Sequence, residues 1–172
     1  MAAPDGFGPP STRDDPRLQF VFEARLWFTR VQNIRNMPSG AGRGAVYVDS
    51  GEITGPRLTA KAVPNSGGDY SLFRPDDVLA FDARYMWEAD DGALIMVYNR
   101  GYLWGRSPQV MTRLRAWAFE GGPEVAHHEY YLRAFPTFEV EAGPHDWLMK
   151  HVIVGVGERL ADGNRIRYFA LL

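Results

Sequence analysis

The sequence predicts an all-β protein, an antiparallel barrel of about eight to ten strands with one short α-helix. Two observations carry this prediction: several short segments alternate apolar and polar residues, and turn-forming Gly, Pro, Asn and Asp residues separate them at close spacing. A third is that helical periodicity occurs convincingly in one place. The 172 residues fit a single domain with a sizeable core. We expect a flexible Pro/Gly-rich arm over residues 1–17 and one barrel over residues 18–172.

The first half of the predicted barrel begins with a long alternating strand at residues 18–29. Residues 34–44 have the composition of a loop. Two further strand segments follow at 45–50 and 51–63, the second bent at Gly55-Pro56, where we expect a bulge. A turn at 64–68 then leads to a short strand over residues 69–74.

Residues 78–101 are predicted to form a long β-hairpin around Asp91-Gly92, because these two residue types tolerate the positive φ of a two-residue turn. In that register Arg84 pairs with Asn99, and Asp82 pairs with Gly101, all on one face with Met86. This face would combine apolar side chains with a small polar group. That composition is typical of a polar spot in an apolar cavity.

The only convincing helix is predicted at residues 108–119, with Ser107 as N-cap and Gly121-Gly122 at its end. The remaining elements are predicted from β composition and from one tight turn. They are strands at 129–135, 147–155 and 166–172 and a turn at 161–164.

Composition excludes several function classes. The net charge is −2 and the basic residues are scattered, which argues against a nucleic-acid partner. The chain has no cysteine, so it has no disulfide, thiolate zinc site or cysteine nucleophile. No segment approaches the ~20 apolar residues that span a bilayer, and the amino terminus has no apolar signal core. We expect a soluble cytoplasmic protein with no membrane partner.

Several short blocks, in a fixed order, carry a resemblance to a known family. They are GPRL (55–58), GGDYSLFRPDD (67–77), LAFDARY (79–85), DDGALI (90–95), NRG (99–101), YYLRAFPTFE (130–139), the WL of PHDWLMK (144–150) and VGVGE (154–158). Together they resemble UPF0311, a bacterial and fungal β-barrel family catalogued as a domain of unknown function, over roughly residues 18–172. The resemblance implies a barrel with a central pocket and self-association into a homo-oligomer.

The resemblance also implies a set of recurrent polar positions. They correspond here to Arg57, Asp69, Arg74, Asp82, Arg84, Asn99, Arg133 and Glu139. The sequence departs from the family pattern at Leu58–Val63, at Asp77, and at His145 and Met149 on either side of Trp147. A role for His145 or Met149 therefore cannot be inherited from the family.

Arg84 and Asn99 are the first catalytic candidates. A guanidinium is a rigid five-donor fork that orients a carboxylate, phenolate or enolate, and an amide beside it suits an oxyanion. The alternative is a structural ion pair from Arg84 to Asp82, Asp69 or Glu139.

Glu139 and Asp69 are the candidates for proton transfer, because burial beside aromatic residues raises a carboxyl pKa. Arg133 would orient substrate or tune that carboxyl. Structural alternatives stand beside these roles: an ion pair of Arg133 with Glu139 or Asp69, and capping of the preceding turn by Asp69. Tyr85, Tyr131 and Trp104 are candidates to line a pocket for an aromatic ring, with Arg57, Asp82 and Trp147 as further substrate contacts.

We expect no metal and no cofactor. His127 and His128 are adjacent and would point to opposite faces of a strand. His145 is a candidate acid–base group or an ordinary surface histidine. The G-x-G-x-G pattern at 40–44 lacks the Lys-Ser/Thr of a phosphate loop.

The leading interpretation is an enzyme that needs no cofactor and uses acid–base chemistry, of lyase or isomerase type, on a small apolar metabolite that is aromatic or oxygenated. The alternative is a carrier or sensor that binds a small ligand in the same pocket without turnover. A third interpretation is an oligomeric structural protein with its polar cluster at a subunit contact.

Overall fold

The structure is a computed structural model that describes residues 15–172, so residues 1–14 of the expected arm lie outside the described residues. Eleven strands and one α-helix are present in the described part. The strands are β1 Leu18–Ile34, β2 Gly42–Thr54, β3 Ala60–Ala62, β4 Gly68–Asp69, β5 Leu72–Phe73, β6 Leu79–Ala89, β7 Leu94–Gly105, β8 Tyr130–Ala134, β9 Thr137–Val140, β10 Ile153–Leu160 and β11 Gly163–Leu171. The helix α1 is Val110–Glu120, and two 3₁₀ helices span His127–Glu129 and Asp146–Met149.

All strand pairings are antiparallel, and the sheet closes on itself. Starting from β6, the ring runs through β4, β2, β1, β11, β10, β8 and β7 and returns to β6. This ring has eight strands. The predicted antiparallel barrel with one short helix is confirmed. Closure pairs the backbone groups that an open sheet would leave at its edges.

Strand alternation decides which side chains fill the barrel. On β1, Phe22, Ala24 and Leu26 are buried, as the period-2 pattern of residues 18–29 predicts. A cluster of aromatic rings fills the half of the interior near the β6–β7 turn. Trp87 packs edge-to-face on Phe22 with ring centroids 5.7 Å apart, and Tyr168 lies 5.0 Å from Phe22. The other half of the interior is left for a cavity.

The helix α1 packs through Val110 and Leu114, both buried. It begins two residues later than predicted, with Gln109 rather than Ser107 as N-cap and no side-chain cap. Its end agrees with the prediction: Gly121 adopts a left-handed conformation with φ 70°, which glycine tolerates without steric cost. No helix within residues 15–172 is long and apolar enough to cross a membrane.

The predicted register of the β6–β7 hairpin is wrong by one residue. The Ala89 N–H donates to the Ala93 carbonyl at 2.9 Å, and the turn contains three residues, 90–92, with φ +85° at Gly92. A three-residue turn of this kind uses the glycine at its last position, whereas the prediction assumed two central residues. Because side chains alternate, a slip of one residue moves each partner to the other face. Ala83, not Arg84, therefore pairs with Asn99.

Two other predicted elements differ from the structure. Residues 147–155 were expected to form one strand, but Asp146–Met149 is a 3₁₀ helix and β10 begins at Ile153. Trp147 and Leu148 are buried there, so the apolar residues of this segment reflect packing of a short helix rather than strand alternation. The expected loop at 34–44 is shorter, because β1 extends to Ile34 and β2 starts at Gly42.

Candidate functional site

The barrel encloses a cavity of about 200 Å³ between the aromatic cluster and α1. Its wall is mostly apolar, with Phe81, Leu103 and Ile166 from the strands and Met111 and Leu114 from the helix. An apolar cavity of roughly 150 Å³ is large enough to hold benzene. The cavity therefore suits a compound of about one ring with small substituents.

Polar side chains interrupt this apolar wall in two groups. Thr29, Arg30, Asn33, Arg115 and Asp162 are exposed, whereas Asp69, Ser71, Tyr85, Asn99, Arg159 and Asn164 are buried or half-buried. Asp69 is the cross-strand partner of Ala83, and Ala83 is the partner of Asn99. Asp69 and Asn99 thus flank the small Ala83 side chain, and Tyr85 follows two residues along β6 on the same inner face. Asp69, Tyr85 and Asn99 therefore converge on one part of the cavity wall.

Asp69 is an unusual carboxyl group. Burial raises its pKa from the ordinary value of 3.8 to about 6, opposed by hydrogen bonds from Ser71 and from the Asp82 backbone and by the charge of Arg159. Ser71 Oγ donates to Oδ2 at 2.8 Å, and the Asp82 N–H donates to Oδ1 at 3.0 Å. These bonds hold the carboxyl in one orientation. It can therefore give or take a proton near neutral pH.

Tyr85 and Asn99 present polar atoms with unused hydrogen-bonding capacity. Tyr85 is 1% exposed and Asn99 is 2% exposed. Asn99 Oδ1 has no hydrogen-bond partner among the described residues, and the Tyr85 hydroxyl makes no hydrogen bond of good geometry there, although the nearby Asn99 side chain acts to lower its pKa. Burial raises the pKa of Tyr85, so its hydroxyl keeps its proton and remains a donor. Buried polar atoms without partners are rare in folded proteins, and here both belong to residues of the cavity wall.

Arg159, on β10, is the half-buried arginine of the cavity wall, which Arg30 and Arg115 also line from exposed positions. Desolvation by burial lowers the pKa of its guanidinium. Nη1 donates to Asn164 Oδ1 at 3.0 Å, and the guanidinium lies 5.7 Å from the centre of the Phe28 ring. No ion pair joins it to a carboxylate within residues 15–172.

The structure overturns the predicted Arg84–Asn99 pair. Arg84 lies on the outer face, with its side chain 56% exposed, and forms an ion pair with Asp82 at 2.9 Å. The structure therefore shows the alternative role for Arg84, an ion pair with Asp82, instead of the predicted pair with Asn99. Asp82 also points outward; its backbone N–H, and not its carboxylate, contacts Asp69. Of the predicted catalytic residues, Asp69 and Asn99 line the cavity and Arg84 does not.

Glu139, Arg133 and Tyr131 also lie outside the cavity wall. Glu139 is exposed and accepts a hydrogen bond from the Tyr98 hydroxyl at 3.2 Å. The Arg133 guanidinium lies 4.8 Å from the Tyr131 ring centre, and Tyr131 stacks on Trp104. No ion pair joins Arg133 to Glu139 or Asp69 in the described chain, so the predicted bridge is not formed either. Alternation explains the error, since Tyr130, Leu132 and Ala134 are the inward residues of β8.

Arg57, Trp147 and His145 form a separate group at the hairpin end of the barrel. The Arg57 guanidinium lies 4.4 Å from the Trp147 ring centre, a cation–π contact. His145 Nε2 lies 3.0 Å from Asp91 Oδ2 in the hairpin turn. This group lies apart from Asp69 and Asn99, so the predicted substrate contacts divide between two places. In the described chain, no three His, Asp or Glu side chains are arranged to hold a metal ion.

Sequence reasoning missed Ser71 and Arg159. A signal for Arg159 was present in VGVGERL (154–160), where Gly155 and Gly157 occupy inward positions of β10. A Cβ at Gly157 would lie 2.5 Å from the Leu132 side chain, which shows how closely the inner face is packed there. Counting by two from these glycines places Arg159 on the same inner face.

Comparison with known proteins places the chain in a family. Residues 16–171 match the protein family of unknown function DUF3237. The chain belongs to this family. A UPF0311 protein of Rhodopseudomonas palustris strain TIE-1 is 30% identical over 147 residues, which cover 83% of this chain and 92% of that protein. The resemblance drawn from the sequence blocks is confirmed.

Two solved structures have the same fold as this DUF3237 member. A conserved protein of unknown function from Rhodopseudomonas palustris superposes with a TM-score of 0.82 at 27% identity, covering 94% of this chain and 100% of that one. An enzyme from Penicillium herquei superposes with a TM-score of 0.65 at 19% identity, covering 96% and 100%. At 19% identity, this similarity shows a shared fold and nothing more.

Proposed function

We propose that this protein binds a small, largely apolar metabolite, aromatic or oxygenated, inside the barrel and acts on it by acid–base chemistry of lyase or isomerase type. One observation carries the proposal: a half-buried carboxyl with a raised pKa shares a cavity with two buried polar atoms, the Tyr85 hydroxyl and Asn99 Oδ1, whose hydrogen-bonding capacity is not fully used. Strongly perturbed carboxyls in cavities are typical of catalytic sites.

Asp69 is the proton-transfer group in this proposal. Its carboxylate takes a proton from a carbon next to a carbonyl of the substrate; the C–H electron pair forms a C=C bond to the carbonyl carbon, and the C=O π pair moves to the oxygen to give an enolate. Collapse of the enolate with protonation of a conjugated carbon completes an isomerisation, whereas collapse with loss of a group from the β carbon, together with its bonding pair, completes an elimination. A base with a pKa near 6 is suited to both directions of transfer near neutral pH.

The Tyr85 O–H and the Asn99 Nδ2–H are the donors that hold the developing oxyanion in this proposal. The Tyr85 hydroxyl is a buried donor that stays protonated, and the Asn99 amide lies on the neighbouring strand. Donors placed in a water-poor cavity stabilise a developing negative charge more strongly than donors in water. The fold supports catalysis as well, because the same barrel occurs in an enzyme from Penicillium herquei.

The test begins with native mass spectrometry of the purified protein, to find a retained ligand. Turnover of a pooled set of aromatic and oxygenated metabolites then follows, with Asp69→Asn compared with wild type. General acid–base catalysis is worth roughly 100- to 10,000-fold, so Asp69→Asn should lose at least about 100-fold in rate. Asp76→Asn is the matched control, because Asp76 is exposed and pairs with Arg74 on the surface.

The outcomes separate the possible functions. Equal turnover in Asp69→Asn and wild type would contradict the assigned role. A retained ligand without turnover of any pooled compound would favour the carrier or sensor. Arg84→Met should leave turnover unchanged, since Arg84 lies on the outer face.

A further inference from the structure

Arg159 and Asp69 face each other across the barrel. In the eight-strand ring, β10 and β4 are four strands apart in either direction, which is as far apart as the ring allows. Both side chains line the cavity. Their charges influence each other, yet no direct ion pair joins them. The cavity therefore lies between a cation and a carboxyl that do not touch.

A guanidinium removed from water without a carboxylate partner is costly for a folded protein. Arg159 has one side-chain hydrogen bond, to the neutral amide of Asn164, and a ring contact with Phe28. A guanidinium has five N–H donors, so most of its donor capacity is unused here. Neither contact neutralises its charge, and an anionic ligand group in the cavity would.

We propose that the cavity ligand carries a permanent monoanionic oxygen group of the carboxylate class, which Arg159 binds, on a body of about one ring. This inference rests on the proposed function and names its substrate class. A carboxylate matches the planar fork of a guanidinium with two parallel hydrogen bonds. Of the three arginines on the cavity wall, Arg30 and Arg115 are exposed and Arg159 is half-buried, and one half-buried charge matches a monoanion better than a phosphate.

The opposite wall fits the same ligand. With its carboxylate at Arg159, the far side of a single ring reaches toward Asp69, Asn99 and Tyr85. Asn99 Oδ1 has no partner in the described chain and is an acceptor, so a hydroxyl or amine on that side of the ligand satisfies it. Two recognition groups on opposite walls would fix the orientation of the ligand relative to Asp69.

The test uses benzoate and its neutral counterpart benzamide as probes, titrated calorimetrically into the full-length protein. A charge-assisted hydrogen bond contributes enough to favour benzoate by roughly 10- to 100-fold. Arg159→Met should abolish this preference. Arg84→Met, which removes an arginine paired with Asp82 on the outer face, should keep it.

Circular dichroism establishes that each variant is folded. If Arg159→Met does not fold, Arg159→Lys replaces it: the charge remains but the fork is lost, and the preference for benzoate should shrink without disappearing. Equal affinity of wild type for the two probes would overturn the carboxylate assignment and leave the cavity as a binding site for neutral molecules. Failure of both probes to bind would overturn the assignment and the proposed binding function together.

Discussion

Asp69 and Asn99 lie in the same row of the barrel wall, because each is the cross-strand partner of Ala83. The methyl group of Ala83 is the smallest side chain that L-residues offer, so the two polar side chains have open space between them. Ala83 lines the cavity and is 5% exposed. A ligand in contact with both Asp69 and Asn99 must therefore lie over Ala83.

Ala83→Leu should block ligand binding. The larger leucine side chain would occupy the space over Ala83. Overpacking a filled core typically costs about 1 to 3 kcal/mol, and because this space is cavity, we expect a smaller change in the free energy of unfolding. Ala80→Leu is the control, since Ala80 is on the same strand but absent from the cavity wall. Calorimetric titration and urea unfolding measure the two effects. Unchanged affinity in Ala83→Leu would place the ligand elsewhere.

The raised pKa of Asp69 makes stability depend on pH. Between about pH 4 and 6 the folded protein keeps this proton, whereas the unfolded chain, with a carboxyl pKa of 3.8, has released it. The folded state binds more protons in this window, so the Asp69 contribution to stability decreases as pH rises and is lost above pH 6. The change is on the order of 3 kcal/mol.

Urea unfolding of wild type and Asp69→Asn across this pH range isolates the effect. As the pH rises from about 4 to 6, Asp69→Asn should become more stable relative to wild type. Above pH 6 the difference in unfolding free energy between the two proteins should stay constant. Asp76→Asn should follow the wild-type curve. A constant difference between Asp69→Asn and wild type would mean that Asp69 titrates normally.

Tyr85→Phe should stabilise the ligand-free protein and weaken its function. A buried hydroxyl without a partner is unfavourable by about 1 to 3 kcal/mol, and phenylalanine removes it without changing the ring. Tyr168→Phe is the matched control variant. The Tyr168 hydroxyl is also buried and without a hydrogen-bond partner in the described chain, but Tyr168 is not part of the cavity wall.

Both variants should therefore gain stability in thermal and urea unfolding. Only Tyr85→Phe should lose ligand affinity or turnover, because only its hydroxyl belongs to the cavity wall. A loss of stability in Tyr85→Phe would show that the hydroxyl is already hydrogen-bonded in the folded protein.

The hairpin register can be tested with single cysteines, because the chain has none of its own. In the observed register Arg84→Cys places a thiol on the outer face and Asn99→Cys places one inside. Alkylation by iodoacetamide requires an exposed thiolate, so the cysteine at 84 should react at least about tenfold faster than the cysteine at 99. Similar rates would support the two-residue turn.

Much of the fold was predictable from local sequence. Alternation identified Phe22, Ala24 and Leu26 as the buried face of β1, and Gly121 marked the helix end, because both depend on backbone geometry over a few residues. Alternation did not predict the irregularity between Phe20 and Phe22, where Val21 is also buried. The segment at 147–155 was not predictable this way. Short apolar runs have no period of their own, and burial of Trp147 and Leu148 depends on distant strands.

The sequence by itself predicted the family and the barrel, and it singled out Asp69 and Asn99, which both line the cavity, as candidates. Only the tertiary structure decided which polar residues share the interior. One extra residue in the β6–β7 turn reverses the face of every side chain beyond it, so Arg84 is outside and Asn99 inside. Ring closure then brings β10 opposite β4 and adds Arg159, a residue 90 positions from Asp69, to the same cavity.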